Sequence, residues 1–109
     1  MSGIHLKDLN APLTALELLF LEHPELPAPT VGMSTVYPGR LQLAFHDDPA
    51  DFEAWREALD ADPATVGMWL WGDGTGGALT LFTTYAGATV ELFGYLTLPA
   101  RQEPVGEAA

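Results

Sequence analysis

The stretch ALTLFTTYAGATVELFGYLTL, residues 78–98, decides the fold. Both halves are rich in residues that favour strands, and Ala86-Gly87 between them is a two-residue turn signal. In the second half, side chains alternate between two faces with the period of a strand. Val90, Leu92, Leu96 and Leu98 share one face, and Glu91, Phe93, Tyr95 and Thr97 share the other. We predict two strands, 78–85 and 88–98, joined by a tight turn.

Three more strands are predicted upstream of this hairpin. One covers residues 66–71. Two others, at 31–37 and 41–46, form an earlier hairpin around Tyr37-Pro38-Gly39-Arg40. In that turn, proline presets φ and Gly39 is expected to supply the positive φ that a type II turn requires.

Two helices are predicted from capping residues and apolar spacing. The first begins after Asn10, whose side chain can cap it, and ends before Pro24. Leu13, Leu16 and Phe20 fall three and four positions apart, on one helical face. Further leucines widen this stripe, so we expect the first helix to be buried over much of its circumference.

The second helix is predicted to begin at Asp48-Pro49, because aspartate is a favoured cap and proline is favoured at the first helical position. Pro63 stops it. Its narrow apolar stripe consists of Phe52, Trp55 and Leu59, with Glu53, Arg56, Glu57 and Asp60 expected to face water.

These elements predict a single α+β domain over residues 1–98, followed by a flexible tail at 99–109. The order is α-β-β-α-β-β-β. We expect a two-layer sandwich with a mainly antiparallel sheet and both helices on one face. A half-open barrel is the main alternative.

Three segments resemble small acidic proteins from actinobacterial genomes and mobile elements. They are Leu26-Pro27-Ala28-Pro29, FEAWREAL at residues 52–59, and Thr84-Tyr85-Ala86-Gly87. The resemblance spans most of residues 15–98. It implies an intracellular, actinobacterial origin, and it assigns neither an activity nor a functional residue.

Composition limits the classes of partner. The 109 residues include 15 acids against 4 bases, a formal charge of −11, and no cysteine. Clustered Lys and Arg are needed to bind nucleic-acid phosphates or anionic membranes, so we expect neither partner. The absence of cysteine excludes disulfides, Cys–zinc sites and thiol catalysis. No signal peptide or membrane span is predicted, which favours the cytoplasm.

No stretch of the sequence assembles a catalytic, cofactor or metal site. The loose glycine loop at 72–77 leads into a strand rather than a helix, and it lacks the lysine of phosphate-binding loops. His46-Asp47-Asp48 offers metal-ligand types, but Asp48 is already explained as a helix cap and no third independent ligand is evident. We therefore predict a non-enzymatic protein without cofactor or metal.

An aromatic sheet face is the strongest functional signal. Strand alternation places four aromatic side chains opposite to the aliphatic set that includes Met68 and Leu70. The aliphatic set is the natural partner of the two helices, so no predicted element covers the aromatic face. Its members are Trp69, Trp71, Phe93 and Tyr95. Large exposed aromatic patches mark interfaces. The alternative is that the sheet curls and these rings pack on each other, on the first helix or on the N-terminal segment.

Two classes of function follow. The first is a small module that binds a protein partner, or itself as a homodimer, through the aromatic face. The second is an acidic inhibitor that imitates nucleic acid and occupies the basic groove of a DNA-binding protein, for which the charge of −11 is the signal. Mimicry requires a linear array of carboxylates, and only residues 47–62 are densely acidic.

Overall fold

The computed structural model describes residues 3–46 and 48–97. The predicted tail and Asp47 lie outside these residues. Within them the chain forms two α-helices and five strands. These are α1 (Asn10–Glu22), β1 (Thr30–Met33), β2 (Arg40–Phe45), α2 (Pro49–Ala58), β3 (Gly67–Leu70), β4 (Gly76–Tyr85) and β5 (Ala88–Thr97).

The strands form one mixed sheet in the order β1-β2-β5-β4-β3. Neighbouring strands are antiparallel except β2 and β5, which run parallel with Leu41 beside Val90 and Leu43 beside Leu92. A parallel pair needs a crossover connection, and α2 lies in the chain between these two strands. The predicted α+β class and order of elements are confirmed, with one parallel pair in an otherwise antiparallel sheet.

Both helices pack on one face of the sheet, over β2 and β5. The core beneath them is aliphatic and aromatic, and its most deeply buried members are Leu19, Leu41, Leu43, Phe52, Leu81, Val90 and Leu92. Gly94 permits the close approach of α2, because a Cβ at this position would lie 3.0–3.2 Å from atoms of Phe52. Burial of these side chains supplies the main stabilising free energy of the fold.

α1 is rotated relative to the sequence prediction. Pro12, Ala15 and Leu19 are buried, whereas Leu13 is exposed and Phe20 is 67% exposed. The prediction that α1 is buried over much of its circumference was therefore wrong. Apolar residues occur on every side of this helix, so their spacing could not define one stripe, and the small Ala15 fits closest to the sheet.

α2 follows its prediction except at one residue. The Asp48 side chain accepts a hydrogen bond from the Ala50 N–H at 2.9 Å, and Phe52, Trp55 and Leu59 are buried. Arg56, expected in water, is also buried. Its Nη1 donates to the Ala61 carbonyl at 2.6 Å and its Nε donates to Glu53 at 2.9 Å, so this side chain closes the C-terminal end of α2.

The Glu53–Arg56 pair makes stability depend on pH. The hydrogen bond from Arg56 holds the pKa of Glu53 below its ordinary value. Such a carboxyl stabilises the fold above its unfolded pKa, and this contribution is lost as pH falls through the lower folded value. We expect Glu53→Gln to lower the melting temperature at neutral pH, and its difference from the wild type to shrink as pH falls through the lowered pKa of Glu53. Circular dichroism melts across pH measure this difference, and a difference that stays constant as pH falls would contradict the pairing.

The first hairpin forms, but its turn is not the predicted type. The Arg40 N–H donates to the Tyr37 carbonyl at 3.0 Å. Gly39 nevertheless has no positive φ, and a Cβ placed there would meet no atom within 4 Å. The type II assignment was wrong, and Gly39 is not sterically required. The tight turn after β4 is confirmed, with φ of 51° at Ala86 and 83° at Gly87.

Candidate functional site

The sheet face opposite to the helices, called the open face below, carries the four aromatic side chains singled out in the sequence. In the ladder, Trp69 lies beside Ala78, Ala78 lies beside Tyr95, and Thr80 lies beside Phe93. Trp69 is 59% exposed, Trp71 45% and Tyr95 37%, and Phe93 is half-buried. The rings therefore stay in contact with solvent and do not form a second core.

These rings form two groups on the open face, called ridges below. Phe93 and Tyr95 stack with centroids 6.3 Å apart, and His46 stacks on Tyr95 at 4.8 Å. We call these three residues the central ridge. Trp69 on β3 and Trp71, directly after its end, form the outer ridge. The small residues of β4 lie between the two ridges, where Gly76 and Ala78 are buried and the Trp71 ring lies over Gly76.

A hollow lies on the β1–β2 side of the central ridge. Its volume is about 240 Å³, and residues of β1 and β2, among them Val31, Gln42 and Ala44, line it together with Phe93 and Tyr95. A concave strip thus flanks the aromatic ridge. This relief suits the insertion of apolar side chains from another protein surface.

One end of the open face is polar. Arg40 lies 3.6 Å from a Glu91 carboxylate oxygen, which also accepts a hydrogen bond from Gln42 at 3.1 Å. The Arg40 guanidinium lies over the rings of Tyr37 and Phe82, at 4.3 and 5.3 Å from their centroids. These contacts pair the charges of Arg40 and Glu91 with each other at this end of the open face.

Sequence reasoning missed two aromatic members of this face. Phe82 is exposed beside Glu91, and His46 extends the central ridge beyond the end of β2. The alternation of Leu79 and Leu81 with Thr80 and Phe82 was the available signal for Phe82. The His46 ring stacks on Tyr95 because β2 and β5 are neighbours in the sheet. The sequence alone does not reveal this strand order.

The helices do not cover β3, contrary to expectation. Met68 is 62% exposed and Leu70 is 55% exposed, although both lie on the helix side of the sheet. The reason is strand order, since the helices lie over β2 and β5 whereas β3 is the outermost strand beyond β4. Side chains on both faces of β3 are therefore accessible.

An ordered turn connects β3 to β4 where a loose loop was predicted. The Trp71 N–H donates to the Gly76 carbonyl at 2.8 Å, and the Gly74 N–H donates to Trp71 at 3.0 Å. Asp73 accepts hydrogen bonds from both the backbone and the hydroxyl of Thr75. These bonds lower the pKa of Asp73, the backbone bond most strongly. The turn thereby fixes the outer ridge relative to β4.

Residues that resembled catalytic or metal-binding groups have structural roles. Asp48 caps α2 and His46 stacks on Tyr95. Among residues 3–46 and 48–97, no three histidine or acidic side chains come together as metal ligands. In the same part of the chain, no helix is long and apolar enough to cross a membrane.

Comparison with protein-family models, with curated proteins and with solved structures found no match. The evidence for function is therefore the geometry of the open face.

Proposed function

We propose that this protein is a small, non-enzymatic interaction module that binds another protein chain through the open face of its sheet. The observation that carries the proposal is the exposure of Trp69, Trp71 and Tyr95 on a face that no described helix covers. An aromatic side chain offers about 150–250 Å² of apolar surface, so leaving several in water is costly unless a partner buries them.

The charge distribution supports an apolar partner surface. Residues 63–97 contain only two charged side chains, Asp73 and Glu91. Asp73 lies in the β3–β4 turn, and Glu91 contacts Arg40 and Gln42. Depletion of charge together with enrichment in Trp, Tyr and Phe characterises the central part of protein interfaces.

Nucleic-acid mimicry remains the second candidate, because the helical side carries the acidic residues. Glu53, Glu57 and Asp60 are exposed on or next to α2. Glu53 is partly neutralised by Arg56, which shortens any array of free carboxylates. The two candidates use opposite sides of the molecule, so substitutions can separate them.

We expect Trp69→Ser to weaken partner binding by roughly thirty-fold or more, since aromatic residues at interface centres commonly contribute 2 kcal/mol or more. Phe20→Ser is the matched control, because Phe20 is an equally exposed aromatic residue on α1. The full chain serves as bait in lysates of the source cells, captured proteins are identified by mass spectrometry, and affinities are measured with each variant after circular dichroism has shown it to be folded.

The mimicry candidate makes the opposite forecast. Binding would survive Trp69→Ser, fail in the combined variant Asp51→Asn, Glu57→Gln, Asp60→Asn, and fall steeply with salt. Wild-type affinity in Trp69→Ser and Tyr95→Ser would exclude the open face as the binding surface.

A further inference from the structure

We propose that the free edge of β3 pairs antiparallel with β3 of a second copy of this chain, which joins two five-stranded sheets into one. This inference rests on the proposed function and deepens it by naming one occupant of the outer ridge and its mode of binding. The dimer extends the open face across both copies, with the two outer ridges at its centre.

Among residues 3–46 and 48–97, the backbone of β3 pairs on one side only. β3 is the outermost strand of the sheet that these residues form, and its ladder partner is β4. Because the Trp71 N–H donates to Gly76, the hydrogen-bonded positions of β3 facing β4 are Trp69 and Gly67. The N–H and C=O groups of Met68 and Leu70 therefore point away from the sheet. Such a row of donors and acceptors is a template for another strand.

The side chains of β3 favour pairing more than those of the opposite edge. Every residue of β3 is exposed, and Met68, Trp69 and Leu70 expose more than half of their surface. Neither charge nor proline protects this edge. At the other end of the sheet, Pro27 and Pro29 precede β1, and the strand contains Gly32.

Charge favours a second copy over a basic partner at this edge. Two chains of charge −11 repel each other wherever their acidic surfaces meet. Around β3, however, the nearest acidic residues in sequence are Asp62 before the strand and Asp73 after it, and neither belongs to the strand. A basic segment would find no carboxylate on β3, whereas an identical apolar strand would meet no like charge directly opposite.

A two-fold axis at Trp69 gives the register. Met68 of each copy then faces Leu70 of the other and exchanges backbone hydrogen bonds with it, whereas the two Trp69 residues form the closer pair without hydrogen bonds. Both Trp69 rings lie on the open face, and the Met68–Leu70 pairs cover each other on the helix side. The exposed side chains supply roughly 400 Å² per copy, which is below the size of a stable interface, so we expect a weak and reversible dimer.

The test is sedimentation equilibrium of the full chain at concentrations on the order of 1 to 500 µM. We expect reversible dimers. Met68→Pro removes an outward N–H while leaving the β4 ladder intact, so it should weaken association roughly tenfold or more. Met68→Ala is the matched control, since it removes the same side chain but keeps the N–H, and its dissociation constant should stay closer to that of the wild type.

A charge-swap pair tests the register without depending on the proline variant. We expect Met68→Lys and Leu70→Glu each to be monomeric alone, because each buries an unpaired charge in the pairing edge. Mixing them should restore dimers, because the introduced lysine of one copy then faces the introduced glutamate of the other. A folding defect would not produce recovery on mixing.

The outcomes separate this inference from the proposed function. Self-pairing is overturned if the wild-type chain stays monomeric up to the highest concentration. It is also overturned if Met68→Pro and Met68→Ala associate equally and mixing the charge-swap variants restores no dimer. In either case, loss of capture in Tyr95→Ser, which lies two strands away from this edge, would still support the open face as a binding surface for another protein. The converse result is also possible: mixing the charge-swap variants restores dimers, and Trp69→Ser and Tyr95→Ser capture other proteins as the wild type does. This result would support self-pairing and exclude the broader proposal.

Discussion

Replacement of Trp55 by alanine is expected to lower the free energy of unfolding by about 3–5 kcal/mol. Trp55 is 5% exposed, and its ring packs against Phe45 with centroids 6.1 Å apart. Its Nε1 also donates to the Pro27 carbonyl at 2.7 Å. Truncation would remove the ring and leave that carbonyl without its donor. Because small domains are stable by about 5–15 kcal/mol, a loss of this size is a large share of the total.

Two companion variants separate the contributions of Trp55. Trp55→Phe keeps one aromatic ring but loses the N–H and the volume of the second indole ring. We therefore expect a loss smaller than that of Trp55→Ala but larger than the roughly 1 kcal/mol of a single hydrogen bond. Trp69→Ala removes the same kind of side chain from an exposed position and should change stability by about 0.5 kcal/mol or less. Urea unfolding followed by circular dichroism measures all three. Equal midpoints for Trp55→Ala and the wild type would contradict the burial of Trp55.

The Trp55 hydrogen bond also has an architectural consequence. It ties α2 to the proline-containing segment between α1 and β1. The same tryptophan forms part of the wall of an apolar cleft of about 300 Å³, together with Leu16, Phe20 and His23 of the α1 end. Trp55→Ala would therefore enlarge an existing cleft as well as remove core contacts, which places its cost in the upper part of the expected range.

Local signals were sufficient where a single interaction decides the structure. Asp48-Pro49 defined the start of α2 because cap geometry involves only neighbouring residues. The phase of Phe52, Trp55 and Leu59 followed because polar residues occupy the rest of that helix. In the same way, the side of the sheet on which Trp69 or Tyr95 lies follows from the two-residue period of a strand.

Non-local packing decided the features that the sequence could not reveal. The face that α1 buries depends on the sheet surface beneath it. Ala15 and Leu19 pack on that surface, whereas Leu13 and Phe20 are exposed. The parallel pairing of β2 with β5 depends on the path of the chain through α2. Strand order then decided the site, because placing β3 at the edge exposed Met68 and Leu70 and separated the two ridges.

Gly76 shows the same limit of prediction from sequence, and its substitution gives the second large expected effect on stability. A Cβ at Gly76 would lie 2.2 Å from the Leu96 carbonyl oxygen and 2.8 Å from the Trp71 ring. Contact with a backbone atom cannot be relieved by a rotamer change, so β4 would have to move away from β5 and the outer ridge would tilt. We expect Gly76→Ala to lower the free energy of unfolding by about 1–3 kcal/mol.

Gly39→Ala is the matched substitution for Gly76→Ala, and we expect it to stabilise the fold where Gly76→Ala destabilises it. The new methyl group would meet no atom within 4 Å, and the backbone of Gly39 does not have a positive φ. Alanine also restricts the unfolded chain, which stabilises a protein by about 0.4–1 kcal/mol where the native conformation accepts it. Thermal melts of the two variants therefore test whether Gly76 belongs to β4 or to a loose loop. If both variants melt together, Gly76 is not packed under Trp71, and the outer ridge is not held against β4. If Gly76→Ala alone is destabilised, β4 is packed closely against both the β5 backbone and the Trp71 ring, which holds the outer ridge in place.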